Sequence, residues 1–280
     1  MKKVVITGGS GRLGQHVIRE LLEHGYEALS LDRVTPPVKL CPSWIADLRK
    51  SGDLYEALSD ARGIIHLGAY QAPNMAPDSE TFGNNVTATY NVLKAASDLG
   101  VANVIIASST AAFGFLYAYQ PRPPDYLPLD ENHPSNPQDP YGLSKLVGEK
   151  LSDSFASYKR SKIASLRFPG INFDLTYTSF AERWKDPRQR LWGFWSYIDA
   201  RDAATACRLT LEASFAGHEV FIVAAPTSAM NRPTDDLIRQ YLPGVKKMKE
   251  GLEGNWSGVD STKAQTKLGF KAQHVWENYL

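Results

Sequence analysis

Tyr141 and Lys145 stand four residues apart, so on a helix the phenol and the ammonium share one face. A phenol titrates near 10 in water and is a poor base at neutral pH, whereas a cation beside it favours the phenolate. A drop of about three units corresponds to roughly 4 kcal/mol of differential stabilisation, enough to make Tyr141 an acid or base toward a hydroxyl-bearing carbon. The same spacing also describes a surface helix with an incidental aromatic and a solvated lysine, so context has to decide.

The context is Thr7-Gly8-Gly9-Ser10-Gly11-Arg12-Leu13-Gly14, which follows the strand-like Val4-Val5-Ile6 and opens a helical stripe at Leu13, Val17, Leu21 and Leu22. Gly8 permits a tight turn, Gly11 lets backbone approach a pyrophosphate, and Gly14 lets the helix pack closely. The opening turn through Ser10, Arg12 and Leu13 then turns its N–H groups toward phosphate. Asp32, ending a second strand, suits the hydroxyls of an adenosine ribose, which favours NAD; Arg12 and Arg33 each suit a phosphate, which leaves NADP open. A dinucleotide cradle plus a Tyr/Lys pair is a combination for hydride transfer.

The elements that must position these groups alternate. Strand-like runs at Val4–Thr7, Glu27–Leu31, Ile45, Gly63–Leu67, Asn103–Ser108 and Ile163–Phe168 are separated by helical segments at about 13–24, 53–58, 79–99 and 139–160. This pattern predicts an α/β fold, a doubly wound parallel sheet with helices on both faces. Residues 1–170 read as the dinucleotide-binding domain. Residues 171–280, enriched in Trp184, Arg188, Arg190, Trp192 and Trp195, read as a small substrate-binding region plus elements completing the core. Six prolines between Phe115 and Gln138 exclude a helix there and predict a structured wall or lid.

The chain has 280 residues, a net charge of +1 and two cysteines, Cys41 and Cys207, without metal-type spacing. Near-neutrality argues against nucleic acid or acidic membrane as partner, and no apolar run of about 20 residues predicts a membrane span. With no leader-like N-terminus, the expected setting is cytoplasmic, the partner a small molecule, and no metal is expected.

With these features and others along the chain, the sequence resembles an extended short-chain dehydrogenase/reductase of the NAD-dependent epimerase/dehydratase family, with a Rossmann fold. The matching segments are the TGGxGxxG cradle, Asp32, Asp47-Leu48, Ile65-His66-Leu67-Gly68-Ala69, Asn84-Asn85-Val86, and Ala107-Ser108-Ser109 with Phe113-Gly114. Further along come YxxxK, Arg167 to Asn172, Tyr197 to Ala204, and Lys263 to Phe270. The resemblance implies that Ser109 bonds the reacting oxygen, Tyr141 is the acid/base, Lys145 binds the nicotinamide ribose and tunes Tyr141, and Asn85 supports the site. It places Asp47 and Leu48 by the adenine, Leu67, Gly68 and Ala69 near the ribose or pyrophosphate, and Pro169-Gly170 near the nicotinamide. The substrate set is Gln71, Ser109, Thr110, Asn172 and Arg183.

Departures narrow the expectation. Sugar-nucleotide dehydratases of the family carry an Asp-Glu pair after the catalytic hydroxyl, where this chain has Thr110-Ala111, so elimination is not expected. Only about 110 residues follow Pro169, less than nucleotide-sugar epimerases use to grip a nucleotide. The chain looks most similar to the uronate dehydrogenase end of the family, with an arginine on any substrate carboxylate; Arg183, Arg188 and Arg190 are candidates, and the last two read equally well as surface charges. Trp184, Trp192, Phe194 and Trp195 read either as a sugar platform or as core. An NAD-dependent oxidoreductase of sugars or sugar acids leads. A nucleotide-sugar epimerase retaining NAD and a non-catalytic NAD(P)-binding regulator are the alternatives. In the resembled family the helices near 79–99 and 139–160 pair across a homodimer.

Overall fold

Parallel strands with crossover helices dominate the computed structural model, which describes residues 2–159 and 161–280. The first half runs β1 (Lys3–Thr7), α1 (Arg12–Glu23), β2 (Glu27–Asp32), β3 (Ser43–Ile45), α2 (Gly52–Leu58), β4 (Gly63–His66), α3 (Asp78–Leu99) and β5 (Asn103–Ser109). Then come α4 (Pro140–Lys159), β6 (Lys162–Phe168), β7 (Gly170–Asn172), α5 (Phe180–Trp184), β8 (Tyr197–Asp199), α6 (Ala200–Glu212), β9 (His218–Ile222), α7 (Thr234–Tyr241) and α8 (Thr262–Leu268). The sheet order is β3-β2-β1-β4-β5-β6-β9, every pairing parallel, and β7 and β8 form a separate parallel pair. The expected doubly wound α/β sheet is present. Arg160, with which the sequence closed the fourth helix, lies outside the described residues, as does Met1.

Runs such as Val4-Val5-Ile6 and Val104-Ile105-Ile106 form central strands because both faces are covered. Val4, Ile6, Ile65 and Ile105 pack with Val17 and Leu21 of α1 and Ala203 and Cys207 of α6. Val5, Ile64, Val104 and Ile106 pack with Leu54 of α2 and Val92 and Ala96 of α3. The odd and even side chains of each strand thus build two cores. β9 lies past residue 170 yet pairs with β6 from Ile163↔His218 to Arg167↔Ile222.

The proline-rich segment contains no strand or helix between Leu116 and Asp139, and it is fixed to the C-terminal part of the chain. Leu127 and Leu129, both buried, bridge to Met248 and Val259. It forms a wall over Phe113, Phe115 and the core aromatics Phe194 and Trp195. Among the described residues, no helix is long and apolar enough to cross a membrane, and no group of three or more His, Cys, Asp or Glu is arranged to hold a metal.

Candidate active site

At the carboxyl ends of the strands, where such sheets bind ligands, a cavity of about 460 Å³ opens. Gly8, Gly11, Arg12, Leu13, Gly14, Asp32 and Arg33 line one stretch of it, and Asp47, Leu48, Leu67, Gly68, Ala69 and Gln71 another. Ser109, Tyr141, Lys145, Pro169 and Gly170 line a third. The glycines are there for space. Gly8 has φ of +72° and packs where a Cβ would sit 2.7 Å from the Gly68 nitrogen; a Cβ on Gly14 would meet the Gly8 carbonyl oxygen at 2.3 Å. Asp32 is held by N–H donors, from Ser10 on Oδ2 (3.0 Å) and from Arg33 on Oδ1 (2.7 Å), so its carboxylate faces the cavity in one fixed pose. The Arg49 guanidinium holds the Asp47 carboxyl down at about 2.

The Tyr141 side of the cavity is built by β5 and α4. Asp139 receives the Gly142 N–H on Oδ1 (2.8 Å) and starts α4, whose first residue is Pro140, which costs no helix bond there. Tyr141 is buried in the first turn. Lys145, one turn on, donates from Nζ to the Ala107 carbonyl at 2.7 Å, which ties it to β5, the strand that ends in Ser109. The Ser109 hydroxyl accepts the Ala111 N–H at 3.1 Å and also faces the Tyr141 phenol. Beneath them, Glu149 takes a bidentate pair from Arg167 (2.9 and 2.7 Å) and the Ser108 hydroxyl (2.6 Å), fixing α4 to β5 and β6.

The protein's own groups do not lower the Tyr141 pKa as the sequence suggested. Burial pushes the phenol up to about 12, with Tyr117 and Asp139 adding to that and the Ser109 hydroxyl opposing it. Burial also lowers Lys145 to about 8, with Glu149 pulling the other way. Burial is the first cause of both shifts, and the ammonium is directed at the Ala107 carbonyl.

Five of the residues that the sequence assigned to the catalytic, cofactor or substrate sets do not line the cavity. Ser10 spends its N–H on Asp32 and its hydroxyl on the Val34 carbonyl (2.7 Å). Asn85 is a buried staple: its Oδ1 accepts the Tyr70 N–H (2.8 Å), and its Nδ2 donates to the Tyr70 carbonyl (3.0 Å) and the Ser144 hydroxyl (3.1 Å). Thr110 starts the short 3₁₀ turn Thr110–Phe113 behind Ser109. Asn172 is buried and turns its amide onto the Asp174 carbonyl at 2.7 Å. Arg183 stacks on Phe180 at 4.2 Å and reaches Ser179. The aromatic cluster is core: Phe194 and Trp195 are buried, Trp184 donates to the Ala229 carbonyl, and Trp192 packs on that core.

Sequence reasoning missed Leu116, Tyr117 and Phe173, which do line the cavity. Nothing marked them beyond being apolar in loops that follow Phe113-Gly114 and Ile171-Asn172. Tyr117 sits edge-on to Tyr141, ring centroids 6.0 Å apart. Of the three arginines left open, Arg190 approaches the cavity: its Nη1 lies 2.7 Å from where a Cβ on Gly170 would be. Arg188 is exposed and paired with Asp186.

The family model described as the NAD dependent epimerase/dehydratase family matches residues 4–171, more than half the chain. The chain belongs to this family. Within it, the UDP-glucose 4-epimerase of Lactobacillus helveticus is 30% identical over 164 residues, 53% of this chain and 46% of that protein. The chain spans about half the length of the curated relatives it matches. Among solved structures, a short-chain dehydrogenase/reductase superfamily protein from Agrobacterium tumefaciens with bound NAD superposes with a TM-score of 0.76 at 21% identity, covering 99% of this chain and 94% of that one. A mutated uronate dehydrogenase does so with a TM-score of 0.71 at 21% identity, over 99% and 84% of the two chains. At such identities the likeness is one of fold.

Proposed function

We propose that the protein is an NAD-dependent oxidoreductase that moves a hydride between a hydroxyl-bearing carbon of a sugar or sugar acid and nicotinamide. The observation that carries this reading is that Ser109, Tyr141 and Lys145 share one cavity with Gly8, Gly11, Gly14 and Asp32. The residues fit a dinucleotide: a glycine turn too tight for side chains opens α1, and a fixed carboxylate stands at the end of β2. Bound there, NAD supplies the hydride acceptor. The chain's own groups handle the proton. Ser109 holds the substrate oxygen and Tyr141 takes its hydroxyl proton. Lys145, held on the Ala107 carbonyl, places its ammonium where a cofactor ribose and the phenol both feel it. Asn85 keeps α4 and the Tyr70 segment in register.

The phenol, pushed by burial up to about 12, serves as a base near neutrality only once further positive charge lies beside it. Arg190 is the residue for a substrate carboxylate. It is half-buried beside Gly170 and Tyr117, and among the described residues no acid pairs with it.

The test offers NAD with aldoses, uronic acids and polyols and follows NADH formation. Turnover with one of these, lost in Tyr141→Phe while dinucleotide binding persists, supports the reading; no turnover with any member of the set counts against it. A nucleotide-sugar epimerase is the second reading, favoured by the names of the curated relatives. It predicts NAD released only on denaturing the purified protein and no net NADH.

A further inference from the structure

We infer that Arg12 and Phe173 form a clasp across the mouth of the cofactor cleft, a diphosphate-binding element that sets how long a dinucleotide stays. The inference rests on the cofactor reading above. The Arg12 guanidinium carbon lies 3.9 Å over the centroid of the Phe173 ring, and both residues line the cavity. They come from distant parts of the chain. Arg12 is the first residue of α1, directly behind Gly11; Phe173 follows β7, in the segment beyond residue 170. Their contact joins the glycine turn to the segment that follows β7, both ends of it lining the cavity.

Phe173 is presented rigidly. Asn172 donates to the Asp174 carbonyl at 2.7 Å and accepts the Asp174 N–H at 3.4 Å, pinning the backbone on both sides of the ring. Asp174 in turn accepts N–H bonds from Thr176 (3.1 Å) and Ser179 (2.8 Å). His16, one turn along α1 from Arg12, lies against the same ring, centroids 6.1 Å apart. Arg12 is exposed, and among the described residues no carboxylate pairs with it.

Stacking occupies a face of the guanidinium and leaves its N–H edge available, so one arginine can rest on the ring and fork onto phosphoryl oxygens together. The opening turn of α1 supplies partial positive charge from backbone N–H groups; Arg12 adds a full charge at the same place. An enzyme that exchanges its cofactor at each turnover must break the guanidinium–phosphate bonds that the ring holds in place. Lysine would keep the charge and lose the planar stack.

The experiment measures NADH dissociation by stopped-flow fluorescence, and affinity by calorimetry, on the full chain and on Arg12→Ala, Arg12→Lys, Phe173→Leu and the Arg12→Ala/Phe173→Leu double variant. Phe173→Leu is expected to speed release about two- to fivefold, the worth of an exposed cation–π contact. Arg12→Ala, which also removes the charge, speeds it about tenfold or more, with Arg12→Lys in between. The double variant releases no faster than Arg12→Ala. Tight binding by the unaltered chain with unchanged release in the variants overturns the clasp alone, as does a Phe173→Leu effect that persists undiminished without Arg12. Failure of the unaltered chain to take up any pyridine dinucleotide overturns the cofactor reading and the clasp together.

Discussion

Lys145 Nζ lies 5.6 Å from the centroid of the Tyr141 ring while donating to the Ala107 carbonyl at 2.7 Å. The lysine is therefore anchored to the strand that ends in Ser109, and the phenol is anchored to the lysine's own helix. Two backbone elements converge on one point, so the geometry does not depend on either side chain finding the other. The cost is desolvation, which raises the phenol and lowers the ammonium.

Lys145→Met tests that cost. The Lys145 pKa is about 8 in the folded chain against 10.5 in the reference state, so between these values the unfolded chain binds more protons. Stability of the unaltered protein then rises with pH across that window, and below it the penalty of a buried charge is fully present. The variant lacks the penalty. It is expected to equal or exceed the parent in urea denaturation at neutral pH, with its advantage shrinking from about 8 to 10.5, and to have lost turnover. Parallel stability curves for the two proteins over that range would discard this account.

His66 gives the opposite end of the pH scale. The ring is buried, bonded through Nδ1 to the Thr7 hydroxyl (2.7 Å) and through Nε2 to the Thr89 hydroxyl (3.2 Å). Burial, with Lys145 nearby, lowers its pKa to about 3 from 6.5. Between those values the unfolded chain again holds more protons, so stability falls as pH drops from 6.5 toward 3. His66→Gln, which keeps hydrogen-bonding capacity without titrating, flattens that slope in chemical denaturation. A slope equal to the parent's removes His66 from the explanation.

Much of this architecture is legible in the sequence. The glycine turn and Tyr141/Lys145 are local motifs whose spacing dictates geometry, and the alternation of apolar runs dictated the order of strands and helices. What stayed hidden was non-local. Nothing near Asn172 says that its amide turns onto Asp174, and nothing near Phe173 says that its ring meets Arg12, some 160 residues earlier in the chain. The fate of Trp195, buried with its indole on the Pro187 carbonyl, depended on packing against Val259 and Leu129. The ionisation of Tyr141 depended on burial, which spacing does not report.

Gly14→Ala separates steric need from helix propensity. A Cβ there would lie 2.3 Å from the Gly8 carbonyl oxygen and 2.6 Å from the Gly9 Cα, both backbone, so the turn must open. The expected result is lost dinucleotide binding and destabilisation of about 1–3 kcal/mol. Gly83→Ala is the control. Gly83 lies inside α3 and a Cβ meets nothing within 4 Å, so this change stabilises by about 0.5–1 kcal/mol. Thermal unfolding of both variants checks the pair; equal effects would mean that close packing at the turn is not what selects Gly14.

Arg190 offers a test of whether the substrate is acidic. Burial lowers its pKa, which makes a guanidinium at this depth, with no acid beside it among the described residues, costly unless an anion arrives. Its Nη1 reaches over Gly170, next to Tyr117 and hence to the Tyr141 side of the cavity. A charge-assisted bond of about 1.5–3 kcal/mol to a carboxylate corresponds to roughly 10- to 150-fold in kcat/KM. Arg190→Met should therefore depress kcat/KM for a uronic acid by that factor, mostly through KM, and leave the parent aldose nearly unaffected. Arg183→Met, whose guanidinium is stacked on Phe180, should change the ratio between the two substrates little. Equal losses on acid and aldose from Arg190→Met would show that Arg190 supports the wall of the site without reading the charge of the substrate.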